Sequence, residues 1–148
     1  GDITGFSMLA HTAIREGEVA INHIVGGSDD RMRYDSVPAV VYMHPEIAGV
    51  GATEEKLRAE GRYYRVLKLP MAYAGRYVVE NEQAPGLCKV LVDENDTILG
   101  CHILGNPASE LILLAGIAVT DRSSIEDFRR HIFPHPTAGE ILHEVLFS

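Results

Sequence analysis

Apolar residues at Leu9, Ala10, Ala13, Ile14, Ala20, Ile21, Ile24 and Val25 recur at the spacing of one helix face and predict a helix over 8–25, with Gly17 as its weak point. Thr4 or Ser7 can supply its N-cap. The polar, Gly/Ser/Asp-rich run GGSDDRMRYDS, 26–36, reads as an exposed link that separates this helix from the body of the chain. VPAVVYM then reads as a strand, HPEIAGVG as a turn leading into a second, and TEEKLRAEG as a short helix capped by Thr53 and stopped by Gly61. RYYRVLKLP reads as a third strand, whereas YAGRYVVENEQAPG does not resolve into helix or strand. In LCKVLVDENDTILGCHIL two β-rich runs flank Asp93–Asp96, which predicts a hairpin.

Both faces of that hairpin are apolar, Cys88, Val90, Val92, Leu99 and Ile103 on one and Leu87, Leu91, Ile98 and Leu104 on the other. It should therefore lie centrally in a sheet, covered on both sides. A symmetric loop pairs Cys88 directly with Cys101. Directly opposed positions sit about 4.5–5.5 Å apart at Cβ, wider than the ~3.8 Å a disulfide wants, so the pair is expected to be reduced and the compartment a reducing cytoplasm. After the hairpin, Asn106-Pro107 opens a strongly apolar helix over 108–120, SSIED starts a short one and PTAGEILHEVLF forms the last, with Pro136 in its first position. Strands followed by helices give an α+β domain, an antiparallel sheet with flanking helices.

The net charge of -8, with 21 acidic residues against 13 basic ones, argues against a nucleic-acid or anionic-membrane surface. No apolar run reaches the roughly 18 residues of a membrane span. The chain opens without an initiator Met or a signal-like segment, so it reads as a fragment or a processed protein.

The chemistry gathers in HIFPHPTAGEILHE, 131–144. His131 and His135 have the i, i+4 spacing of zinc ligands, but Pro134 and Pro136 break any helix that would present them together, and Glu140 with His143 is half of a di-iron pattern that has no second copy. No metal site is expected. GVGATE, 49–54, lacks the third glycine of a dinucleotide loop and reads as a turn and cap. What remains is a His135–Glu140 pair, in which a carboxylate holds one imidazole nitrogen and leaves the other to exchange protons.

His135-Pro136-Thr137 followed by Glu140 resembles the active-site motif of the pyridine nucleotide-disulfide oxidoreductases. VPAVVYMHPEIAGVGATEEKLRAEG resembles the opening of that family's interface domain, ILGCHILGNPASELI its central hairpin and helix, and GDITG with MLAHTAIREG the end of its FAD domain. The wording is nearer to the dihydrolipoamide dehydrogenase branch than to the glutathione reductase branch, which stands as the alternative. The resemblance implies an interface domain with a five-stranded antiparallel sheet at 37–148, a link at 26–36 and a remnant of the FAD-binding domain at 1–25. It implies that His135 is the acid/base acting on a dithiol beside the redox disulfide of the other subunit, that Glu140 orients it, and that Pro136 follows a cis bond. Asp2 would meet the ribityl chain of FAD, with Met8, Leu9, Ala10 and His11 at a helix start facing the flavin. FAD and NAD would belong to the whole parent, a homodimer, and this piece alone would be inactive because the nucleotide loops and redox cysteines are absent from it. Ala138-Gly139 and Phe133-Pro134 depart from the residues common in the branch. The competing reading is a non-catalytic dimerisation or binding module, which the uniformly apolar Leu111–Val119 would also suit.

Overall fold

The computed structural model describes residues 1–26, 29–82 and 84–148. Gly27 and Ser28 of the expected link, and Gln83, lie outside them. The elements run α1 (Ala10–Gly26), β1 (Ala39–Val41), β2 (Ile47–Gly51), α2 (Glu54–Ala59), β3 (Arg65–Pro70), α3 (Gly75–Glu80), β4 (Leu87–Val92), β5 (Ile98–Leu104), α4 (Ala108–Asp121), α5 (Ile125–Arg129) and α6 (Ile141–Glu144), with short 3-10 turns between some of them. The strands form one antiparallel sheet in the order β1-β2-β5-β4-β3, so the predicted hairpin lies inside it.

Strand alternation and register together build the core. Val40, Ala48, Ile103, Cys88 and Leu69 form one row across all five strands, and Val50, Cys101, Val90 and Leu67 form the next. These residues join Ile112, Ala115 and Val119 of α4 and Ile141 and Leu142 of α6 in a single apolar cluster. On the opposite face Leu91 and Leu57 are fully buried, and α2 is fastened to β4 by Lys89 Nζ donating to Glu54 Oε1 at 2.8 Å. Both faces are covered there, as the apolar pattern of the hairpin requires. Lys89 holds the Glu54 carboxyl below its usual range, against the desolvation that would raise it.

The cysteine register differs from the symmetric expectation. Leu91 pairs with Gly100 and Val92 with Ile98, so Leu99 is an extra residue on β5, a bulge. The turn is also odd-numbered, with the Asp93 amide donating to Thr97 O at 3.1 Å, and the two offsets together pair Cys88 with Ile103 and Cys101 with Val90. The bulge also exchanges Ile98 and Leu99 between faces, placing Ile98 in the core cluster. Close backbone packing accompanies it. The Ala52 amide donates to Leu99 O at 2.8 Å, and a Cβ on Gly100 would lie 2.3 Å from Ala52 O. Both cysteines are buried and free, and the hydrogen bond to Cys88, together with burial, pushes the Cys101 thiol well up.

Local chemistry explains the element ends. Thr53 Oγ1 accepts the Lys56 amide at 3.2 Å, and Gly61 takes the positive φ that ends the α2 region. Ser124 and Asp127 form a capping box at the start of α5. The stretch that pattern alone does not resolve holds α3, whose Tyr77 ring is buried and whose hydroxyl donates to Pro85 O at 3.2 Å. The described part of the link is tied down rather than loose. Asn22 Nδ2 donates to Asp30 Oδ2 at 2.8 Å, Arg15 pairs with Asp30, and Arg33 donates to Thr120 O at the end of α4.

Candidate active site

His135 stands on the loop between α5 and α6, with Nδ1 2.8 Å from Glu140 Oε1. An ionised carboxylate can only accept, so Nδ1 carries the hydrogen and Nε2 is the nitrogen left to exchange a proton. The other carboxylate oxygen, Oε2, accepts the Thr137 amide at 2.8 Å, and Thr137 Oγ1 donates to Pro134 O at 2.8 Å. The pair is asymmetric in exposure, 80% for the His135 side chain and 21% for Glu140. The fixed member is the carboxylate, and the imidazole reaches outward from it. The Thr137 amide first, and the His135 hydrogen bond second, hold the Glu140 carboxyl below its usual range.

The start of the last helix is not where Pro136 predicted. Thr137 is the cap residue, with φ -140° and ψ 158°, a 3-10 turn covers Ala138–Glu140, and α6 begins only at Ile141. Thr137 offers a better cap than His135 because its amide can be met by Glu140 three residues on. His135 thus stands two residues before the cap, and the carboxylate already answers the Thr137 amide there. The His135–Pro136 bond is cis.

A carboxylate with a depressed pKa contributes stability above the ordinary glutamate range and loses it as the pH falls through the depressed value. Glu140→Gln is therefore expected to lower the thermal midpoint at pH 5 and above. The gap from wild type should shrink as the pH drops below about 4.3. Thermal melts across that window check this, and a gap that persists undiminished well into acid would contradict it.

Asp2 opens a 3-10 turn and is exposed, Met8 is 71% exposed, Leu9 is half-buried, and Ala10 and His11 are the exposed first residues of α1. Neither Thr4 nor Ser7 caps this helix. The Thr4 hydroxyl donates to Gly1 O at 2.9 Å, and Ser7 Oγ bonds Thr12 Oγ1 at 3.0 Å. Among the described residues, no side chain takes the first-turn amides of this 17-residue helix, so its positive end is open. That end suits an anionic group. His11 Nε2, however, already lies 2.8 Å from Pro38 O. No hydrogen bond joins residues 2 or 8–11 to His135 or Glu140, so the structure presents two separate groups.

His131 turns back to Phe128 O, 3.2 Å from Nδ1. Among the described residues no group of three or more His, Cys, Asp or Glu side chains is placed to hold a metal ion, and no helix is long and apolar enough to cross a membrane. Sequence reasoning missed Phe133, the one half-buried residue between His131 and Thr137. Its signal was an isolated aromatic among prolines and histidines, in a tail that also holds Phe128 and Phe147.

The chain is similar to known proteins over nearly its whole length. The family model for the pyridine nucleotide-disulphide oxidoreductase dimerisation domain matches residues 37–146. Dihydrolipoyl dehydrogenase 1 of Arabidopsis thaliana mitochondria is 46% identical over 150 residues, covering 100% of this chain and 29% of that protein. Dihydrolipoyl dehydrogenase 3 of Pseudomonas putida is 40% identical, covering 100% of this chain and 32% of that protein. The crystal structure of LpdA from Mycobacterium tuberculosis superposes with a TM-score of 0.92 at 27% identity, over 99% of this chain and 32% of that one. The HOCl-induced flavoprotein disulfide reductase RclA of Escherichia coli follows with a TM-score of 0.86 at 26% identity, over 99% of this chain and 34% of that one. This chain therefore spans about a third of its relatives, and it belongs to the pyridine nucleotide-disulphide oxidoreductase family, with residues 37–146 matching the dimerisation domain.

Proposed function

We propose that this domain serves a dihydrolipoamide dehydrogenase-like flavoenzyme and contributes the acid/base pair for dithiol oxidation. The observation that carries the reading is the 2.8 Å contact between His135 Nδ1 and Glu140, which leaves Nε2 outward on an 80% exposed imidazole. Nε2 takes the proton of a substrate thiol. The resulting thiolate is the form that attacks a disulfide, here the redox disulfide of the other subunit. Glu140 keeps the ring in the tautomer that presents Nε2 and stabilises the imidazolium once the proton has moved. In the parent, the chemistry supplied by FAD, and by NAD after it, is acceptance of the electron pair that the dithiol gives up. Asp2 and the open start of α1 at Met8–His11 are the residues that would face the flavin.

In this reading residues 1–25 are the end of the FAD-binding domain, 26–36 the link and 37–148 the dimerisation domain. The outer side of α1 supports it. Ile14, Ile21, Ile24 and Val25 are 67, 56, 77 and 74% exposed, an apolar surface suited to the remainder of a flavin domain. The parent is a homodimer that works in a reducing compartment, the cytoplasm, and the free, buried Cys88 and Cys101 suit that setting. The test is His135→Gln in the full-length enzyme, read as dithiol turnover against NADH-driven dye reduction. The first should collapse and the second remain.

A further inference from the structure

The His135–Glu140 hydrogen bond cannot place the imidazole by itself. One bond on a largely exposed side chain competes with water, and Glu140 is fixed from the α6 side through Thr137. Thr137 Oγ1 ties the loop at Pro134 O, and the segment before that point must be held elsewhere. From His131 to Pro136 every residue is exposed except Phe133, and Ile132 is 97% exposed. Phe133 packs on the core, its ring 5.7 Å from Phe128 in an edge-to-face arrangement and 5.3 Å from His143. The series continues from His143 to Phe147 at 5.1 Å, and the Arg129 guanidinium closes it 3.9 Å over the Phe147 ring. Arg129 also donates to Leu146 O. The rings thus join α5, the His135 loop, α6 and the terminal turn.

We propose that Phe133 is the positioning residue of the His135–Glu140 pair: its stacking between Phe128 and His143 sets the loop against α6 and so fixes the place of His135 Nε2. The catalytic consequence rests on the reading of His135 as the acid/base; the geometric claim does not. Phe133 reaches no reacting atom and acts only through the backbone of Pro134 and His135. His143 is a rung by virtue of its ring, so a phenyl ring should replace it.

Imidazole nitrogen NMR of the 148-residue chain reads the His135 tautomer directly. Wild type, Phe133→Tyr and His143→Phe should show hydrogen mainly on Nδ1. Phe133→Leu keeps apolar volume but cannot stack on Phe128 or His143, and the ratio of Nδ1–H to Nε2–H should fall about five-fold for each ring–ring pairing it abolishes, with helix content unchanged. His143→Ala removes a different rung and gives the same readout if Phe133→Leu does not fold. A wild-type ratio in either folded variant overturns the proposal. In the full-length enzyme Phe133→Leu should cut dithiol turnover by a similar factor and spare dye reduction. A shifted tautomer with unchanged dithiol turnover would leave Phe133 as the anchor of the loop and reject His135 as the acid/base.

Discussion

His135→Gln in the full-length enzyme is expected to lower dithiol oxidation by about 10²–10⁴-fold, the range over which a positioned general acid/base acts. The thiol–disulfide step needs a thiolate, and an unassisted thiol with a pKa near 8.5 is only slightly ionised at neutral pH. Glutamine keeps the approximate size and can still hydrogen-bond Glu140, but it has no nitrogen that takes up a proton in this range. Because His135 stands 80% exposed at the end of its pair, the substitution removes little packing. FAD content and NADH-driven dye reduction, which need no dithiol, should stay close to wild type. Steady-state rates with a dithiol and with a dye, on the same preparation, separate the outcomes. Near-normal dithiol turnover would sink the assignment of His135.

Glutamate in place of Leu113 and Ile117 is expected to weaken self-association by on the order of a thousand-fold or more. α4 buries Leu111, Ile112, Ala115, Ala118 and Val119, yet also turns Leu113, Leu114 and Ile117 outward at 61, 38 and 51% exposure. A helix that is apolar on both sides is one that is covered on both sides. In a two-fold interface each substitution counts twice, and each would bury an unpaired carboxylate. The surface also adjoins the candidate site, since a Cβ at Gly139 would touch Leu111 at 3.7 Å and Leu114 at 3.9 Å. Sedimentation of the wild-type chain at high micromolar concentration should show a dimer and the double variant a monomer. A monomeric wild type, or a variant that still dimerises, would count against this surface.

What the sequence disclosed follows from how local each cause is. Thr53 and Gly61 start and end a helix through interactions within a few residues and act where the pattern put them, and the helix start read in SSIED forms with Ser124 as its cap. The apolar alternation of β4 and β5 located an inner hairpin for the same reason. Cys88 and Cys101 failed as a direct pair because the turn is odd-numbered, with Asp93 facing Thr97, and the extra residue at Leu99 shifts the ladder by one more, a residue whose fit depends on the Ala52 backbone far away in sequence. α3 escaped notice because burial of Tyr77, a tertiary event, organises that stretch. His135 and Glu140 were legible as a pair from spacing and resemblance. Their start-of-helix geometry was not, since Thr137 competes with Pro136 for the cap. Phe133 was legible only as an isolated aromatic, because the rings it meets are brought together from α5, α6 and the terminal turn.

Hybrid dimers test most directly the claim that this domain completes an active site across a subunit boundary. One protomer would carry His135→Gln with its redox disulfide intact, and the other an intact His135 with its redox cysteines replaced. Each variant alone should be inactive in dithiol oxidation. Purified hybrids should recover about half the activity of a wild-type dimer, because one of the two sites then joins an intact disulfide to an intact His135 from opposite subunits. Hybrids that form yet stay as inactive as either parent would contradict the account.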